Sequence, residues 1–209
     1  MAQGNIGEVM VNPYRIAPLT AVIRSGGYVV KNASVRIVPK QNGQEIRYSV
    51  SDENVRTAGG IPVFGLYPDW LNTVEVEYDR VFNGKTEHFS DRYQLYAAPV
   101  FLRSNGTPGQ THTTFNVKVL KMDPAFKDRL YFINNLIPTP PDASRVVWNN
   151  PMGGALEWAF GPENAIVDST GTVRWYLNPD VEMYDPDQPY KAGIMMGFEQ
   201  TADGGLLFG

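Results

Sequence analysis

The sequence predicts an all-β chain in two parts, an antiparallel sandwich followed by the opening of a repeated β unit. Three observations carry that prediction. Apolar stretches are short and broken by turn residues, with 16 Pro and 20 Gly in 209 residues and no long amphipathic run. In the first half an Asn-Gly pair joins two alternating segments. Toward the C-terminal end two hairpin signatures succeed one another, with apolar residues at the same offsets from their turn glycines. Val173 and Trp175 follow Gly171, as Leu206 and Phe208 follow Gly204.

In the first half, Leu19–Arg24, Val35–Val38 and Glu45–Val50 are strand candidates. The third alternates, with Ile46, Tyr48 and Val50 on one face, and Asn42-Gly43 makes the second and third a hairpin. Pro13, Pro18, Pro39 and Pro62 are placed at strand margins, where a missing N–H costs least. Val74–Phe82, Asn83-Gly84 and Lys85–Phe89 form the clearest hairpin. A two-residue type I′ turn there sets the register and puts Phe82 opposite Lys85, Arg80 opposite Glu87, Asp79 opposite His88 and Tyr78 opposite Phe89. Two opposite-charge pairs and one aromatic pair, each contributing about 0.2–1 kcal/mol, then fall into place.

After Tyr93–Leu102, the polar Gly/Pro stretch Ser104–Gln110 suits a boundary. The expected division is residues 1–103 as the sandwich, 104–112 as a linker and 113–209 as the second part. In that second part Phe115–Leu120 alternates as a strand. Asp123–Asn135 carries a helical pattern, with Asp123-Pro124 as cap and first turn. Ile137–Asp142, with three prolines, reads as an extended crossing, and Val146–Trp148 and Leu156–Phe160 return to strand. The hairpins close the chain, Ala165–Val167 with Thr172–Leu177 and Ile194–Phe198 with Leu206–Phe208. Two such units cannot close a propeller, so the chain is expected to be the beginning of something larger.

With 18 basic against 22 acidic residues and no Lys/Arg block, nucleic-acid binding is not expected. No stretch approaches the ~20 apolar residues that span a bilayer, so no membrane partner is expected either. The N-terminus lacks the charged and apolar regions of a signal peptide, as for a cytoplasmic or an already processed chain. Absence of cysteine excludes disulfides and thiolate metal sites.

Four stretches carry a family resemblance: Val11-Asn12-Pro13-Tyr14-Arg15-Ile16-Ala17-Pro18-Leu19-Thr20-Ala21, Gly65-Leu66-Tyr67-Pro68-Asp69, Asn164-Ala165-Ile166-Val167-Asp168 and Gly171-Thr172-Val173-Arg174-Trp175-Tyr176. In order and spacing, over nearly the whole chain, they resemble the bacterial arylsulfate sulfotransferases. The resemblance implies an immunoglobulin-like antiparallel β-sandwich followed by an incomplete β-propeller segment, the family's propeller having six blades. It also implies a periplasmic homodimer that moves a sulfuryl group from an aryl sulfate to a phenolic acceptor without a nucleotide donor. In that family the group passes through a histidine in the propeller funnel, assisted by further histidines, an arginine and an asparagine. This chain has two histidines, His88 and His112, both ahead of the propeller part, so no family catalytic residue is carried over to a position here. The expected role is structural and dimerising, and the 209-residue chain alone is expected to be inert. The alternative is a non-catalytic Ig-like binding or adhesion module. A small hydrolase is disfavoured by the absence of a Gly-x-Ser-x-Gly word, a metal-spaced histidine pair or a cysteine.

No catalytic, cofactor-binding or metal residue is assigned, and no cofactor is expected. His88 beside Asp79 reads as a solvent-facing cross-strand pair rather than a base. His112 stands among threonines without metal spacing. Asp180, Glu182, Asp185 and Asp187 resemble a calcium loop but miss its order and are interrupted by Pro179, Pro186 and Pro189. Arg174 and Lys191 are the basic residues beyond Arg145, too few for an anion cluster. Trp148, Trp158, Trp175 and Tyr176 could form a platform for a phenolic ring but read first as packing between sheets. Asn32 and Asn105 begin glycosylation sequons that occur often by chance.

Overall fold

The computed structural model describes residues 6–100, 102–103, 111–112, 117–138, 160–178, 199–202 and 205–207. In chain order the elements begin with β1 (Val9–Val11), β2 (Thr20–Arg24), β3 (Val29–Ile37), β4 (Ile46–Val50), helix α1 (Asp52–Ala58), β5 (Gly60–Phe64), β6 (Trp70–Phe82) and β7 (Lys85–Ala97). They continue with β8 (Leu102–Arg103), β9 (Thr111–His112), a 3-10 turn at Pro124–Phe126, β10 (Leu130–Pro138), β11 (Phe160–Asp168), β12 (Val173–Tyr176), β13 (Glu199–Gln200) and β14 (Leu206–Leu207).

The first half is a sandwich of two antiparallel sheets, β4-β3-β6-β7 against β1-β2-β5. Alternation along each strand sends one face inward: Val35 and Ile37 from β3, Val74, Val76 and Tyr78 from β6, and Tyr93, Leu95 and Ala97 from β7 are all buried. Ile23, Ile61 and Val63 meet them from the other sheet.

The β6–β7 hairpin has the register read from its turn. Phe82 faces Lys85, Arg80 faces Glu87, Asp79 faces His88 and Tyr78 faces Phe89. Asn83 and Gly84 both have positive φ, 48° and 75°, as a type I′ turn requires. The two rings stack at 5.6 Å. The strands extend further than the turn alone indicates, to Trp70 and Ala97.

Other expectations need correction. Helix α1 is not among the expected elements, although its ends follow the rules. Ser51 accepts the Asn54 N–H, Asp52 and Glu53 occupy the first turn, and Gly59 closes the helix in the left-handed region. Pro62 lies inside β5 rather than at a margin, on the side of the strand away from β2, its one strand partner among the described residues. That outer edge is covered from the opposite sheet: the Tyr48 hydroxyl donates to Pro62 O at 3.0 Å and accepts the Phe64 N–H at 2.7 Å. The helical reading of Asp123–Asn135 does not hold. Asp123 caps only the 3-10 turn, through the Ala125 N–H, and Leu130 onward is strand. Nine residues of pairing with β11, and the packing of Tyr131 and Ile133 against the core, outweigh the local helical pattern. Val117–Leu120 is not a strand; Lys118, Val119 and Leu120 are exposed, and no pairing ladder engages them among the described residues.

In the second part β10, β11 and β12 form a three-stranded antiparallel sheet, so the first terminal hairpin is present, with a register shift between Ile166 and Val167. Of the second, Glu199 pairs with Leu207 and Gln200 with Leu206. Its expected Ile194–Phe198 segment lies outside the described residues, as do residues 139–142 of the expected crossing, 146–148 and 156–159. At the end of the expected linker, β9 pairs with β8, which lies just ahead of it, Leu102 opposite His112.

Candidate functional site at the Arg174 junction

The densest set of buried polar side chains with charge lies where the β10-β11-β12 sheet meets the sandwich, and it is built from a turn. Asp168 ends β11, and its Oδ1 accepts the N–H groups of Thr170 and Thr172 at 2.9 and 3.1 Å and the Thr170 hydroxyl at 2.6 Å. An aspartate that ties down the turn after it is the reason Asp-Ser-Thr-Gly reverses the chain here. Gly171 completes the reversal with φ 84°, and a Cβ there would sit 2.8 Å from Val117 O.

Asp168 Oδ2 is left facing inward, and Arg174 Nη1 donates to it at 2.8 Å with both side chains wholly buried. The rest of the guanidinium reaches into the sandwich. Nε donates to Gly65 O at 3.0 Å and Nη1 to Gln44 O at 2.9 Å, while Cζ stands 3.6 Å from the centre of the Tyr67 ring. Arg174 Nη2, Asn164 Oδ1 and Asn178 Oδ1 are buried without hydrogen-bond partners among the described residues.

The sandwich side is held equally firmly. Tyr67 donates its hydroxyl to Gln44 O at 2.7 Å, and Gly43 must lack a side chain because a Cβ would run into that hydroxyl. Asn72, itself buried, accepts the Tyr67 N–H at 2.7 Å and donates to Tyr67 O at 2.9 Å and Trp70 O at 3.1 Å. The Gln44 side chain crosses the junction in full, its Oε1 accepting Ser169 N–H and hydroxyl at 2.9 and 2.8 Å and its Nε2 donating to Arg129 O at 3.3 Å. Asn178 N donates to Ile16 O at 2.8 Å just beyond β12. Burial raises the Tyr67 phenol above its ordinary range, against the pull of Arg174. Lys40, 4.9 Å from the Tyr67 ring and 4.5 Å from the Trp70 ring, is lowered by burial and then by the charge of Arg174.

This arrangement fastens; it does not offer a nucleophile. The guanidinium faces protein acceptors and a ring, and the carboxylate is consumed by its own turn and by Arg174.

The other candidates fall elsewhere. His88 Nδ1 lies 2.9 Å from Asp79 Oδ1 on the open face of the hairpin, with its side chain 67% exposed, as the cross-strand reading has it. The Asp79 carboxyl is held below the usual range by the Asn32 amide first and by His88 second. His112 lies in β9, far along the chain from His88 and in another sheet. Trp175 is half-buried and Tyr176 buried, the latter within the core. Asn32 is engaged by Asp79 and Asp52. Arg145, Trp148, Trp158, Lys191, Asn105, Asp180, Glu182, Asp185 and Asp187 lie outside the described residues. A groove of about 590 Å³ beside α1 is lined by Tyr28, Lys31, Asp52 and Arg56 among others, but Arg56 pairs with Glu53, and Asp52 accepts the Asn32 N–H. Among the described residues no three His, Cys, Asp or Glu side chains converge as metal ligands, and no helix is long and apolar enough to cross a membrane.

Residues 8–98 match the family model of the arylsulfotransferase Ig-like domain, and residues 116–209 match that of arylsulfotransferase (ASST). The chain belongs to the arylsulfotransferase family. Arylsulfate sulfotransferase AssT of Lelliottia amnigena is 33% identical over 96% of this chain, and that of Escherichia coli O6:H1 (strain CFT073) is 32% identical over the same share. The chain spans 35% of the length of each relative. Gln44, Gly65 and Tyr67 belong to the first arylsulfotransferase region, and Asp168 and Arg174 to the second, so the junction ties the two together. Every resembling stretch contributes to it: Ile16 from the first, Gly65 and Tyr67 from the second, Asp168 from the third, Arg174 from the fourth. Gln44 lies in none of them, and its part follows only from the tertiary contact.

Proposed function

We propose that this chain forms the Ig-like domain and the first propeller strands of an arylsulfate sulfotransferase whose chemistry resides in the remaining part of the relatives' length. The single observation behind this reading is the pair of family matches in order along one chain, over residues 8–98 and 116–209. Under this reading residues 1–103 are the sandwich, 104–112 the connection and 113–209 the start of the propeller. The whole protein moves a sulfuryl group from an aryl sulfate to a phenol in the periplasm, as a homodimer, through a histidine outside these residues. A neutral imidazole is a competent nucleophile toward sulfur, and positive donors hold the oxygens as charge develops. The sandwich acts as scaffold: its carbonyls at Gly65 and Gln44 hold the buried Arg174, which pairs with Asp168 and so supports the sheet that opens the propeller.

The test is sulfuryl transfer from a chromogenic aryl sulfate to a second phenol, with no nucleotide donor present. The full-length gene product is expected to turn over and residues 1–209 to be inactive. Transfer at an enzyme-like rate by residues 1–209 would overturn the division of labour, and no transfer by the full-length product would overturn the activity.

A further inference from the structure

We propose that Gln44 and Arg174 form a latch that makes the sandwich and the β10-β11-β12 sheet one cooperative folding unit, so that the two family regions do not unfold separately. The apolar core is continuous across them: Ala165, Val167, Val173 and Tyr176 belong to the same buried cluster as Leu66, Tyr67 and Ile37. Shared apolar burial alone would give a slippery contact, since it has no direction. The polar contacts supply direction. Three separated stretches of the sandwich, at Ile16, Gln44 and Gly65, each accept a hydrogen bond from the second region.

Opening the contact strands groups on both sides at once. Arg174 would keep Asp168 but lose both carbonyl acceptors and the ring, and Tyr67 would lose the guanidinium that stands 3.6 Å from its ring centre. Gln44 would lose every partner found for its amide, because Ser169 and Arg129 both lie across the junction. A buried guanidinium that already has one unpartnered nitrogen cannot lose two further acceptors without being drawn into water, which breaks the core around it. Partial opening is therefore disfavoured against opening the whole.

Hydrogen exchange read by mass spectrometry on the whole 209-residue chain tests this. The variant Gln44→Ala removes an amide whose contacts run across the junction and leaves both cores intact. Segments covering β2 and β12 are expected to lose protection by the same factor, about 5-fold for roughly one net hydrogen bond. Arg174→Lys, which keeps a charge beside Asp168 without the planar fork, is the second variant and is expected to shift both segments by a common factor as well. Faster exchange in β12 with β2 unchanged, or no change in either, would overturn the proposal.

Discussion

Arg80 and Glu87 meet at 3.0 Å on the outer part of the β6–β7 hairpin, and Arg174 and Asp168 meet at 2.8 Å with no exposure at all. The chemistry and the separation are nearly the same. In the first pair Glu87 is open to water while Arg80 lies against the Tyr28 and Phe89 rings. Solvent on the carboxylate side screens the attraction and can hydrate Glu87 if Arg80 is removed. The second has lost its water on both sides, so each charge depends on the other and on the carbonyls around it. One pair decorates a register that the Asn83-Gly84 turn already sets; the other anchors an arginine whose remaining bonds reach from one region of the chain to the other.

The largest expected effect is that of removing the buried cation. Arg174→Ala leaves Asp168 uncompensated and should cost about 3–5 kcal/mol, read as a lowered urea midpoint. A loss below ~1 kcal/mol would mean that the buried pair behaves like the surface one. Asn72→Ala comes next. It strips the Tyr67 N–H and carbonyl of their buried partner, at about 2–3 kcal/mol, and separates the contribution of a neutral clamp from that of a charge.

A pH series sharpens the contrast with a group that is neutral when folded. Burial raises the Tyr48 phenol above its ordinary value of 10.0, so the folded chain favours the protonated form. That contribution is complete below pH 10 and is lost as pH rises above it, by about 1.4 kcal/mol per pH unit for one such phenol. Tyr78 and Tyr93 are raised in the same direction, chiefly by burial and then by Asp91. The urea midpoint should therefore be level from pH 7 to 9 and fall above 10, less steeply in Tyr48→Phe. The smallest effect belongs to the surface pair. A double-mutant cycle on Arg80 and Glu87 should give a coupling of about 0.2–1 kcal/mol that disappears in 1 M salt.

How far the fold could be read follows sequence distance. The β6–β7 register was legible because both strands and their turn are contiguous, and Asn83-Gly84 admits few geometries. The Asp168–Gly171 turn was legible for the same reason. Helix α1 carried its signals in Ser51, the acidic first turn and Gly59, yet at seven residues it offers too little periodicity to be noticed. Strand β10 was misread because Asp123-Pro124 is a genuine cap whose helix stops after one turn, once β11 offers Leu130–Pro138 a ladder. Pro62 misled because only the finished sheet shows that β5 is an edge whose open side is served by Tyr48.

At the junction the division is sharper. Asp168, Gly171 and Arg174 stood out within stretches that resemble the family, but nothing near them in the chain says what Arg174 touches. Its carbonyl partners at Gly65 and Gln44 are 109 and 130 residues away. By itself the sequence determined the all-β class, the turns and the family, because these rest on alternation, turn chemistry and local words. Only the tertiary structure decided that a lone arginine, too isolated to suggest an anion site, lies wholly buried between two regions. The physical reason is that solvation and pairing of a charge depend on what the fold brings around it, and for Arg174 those partners come from distant parts of the chain.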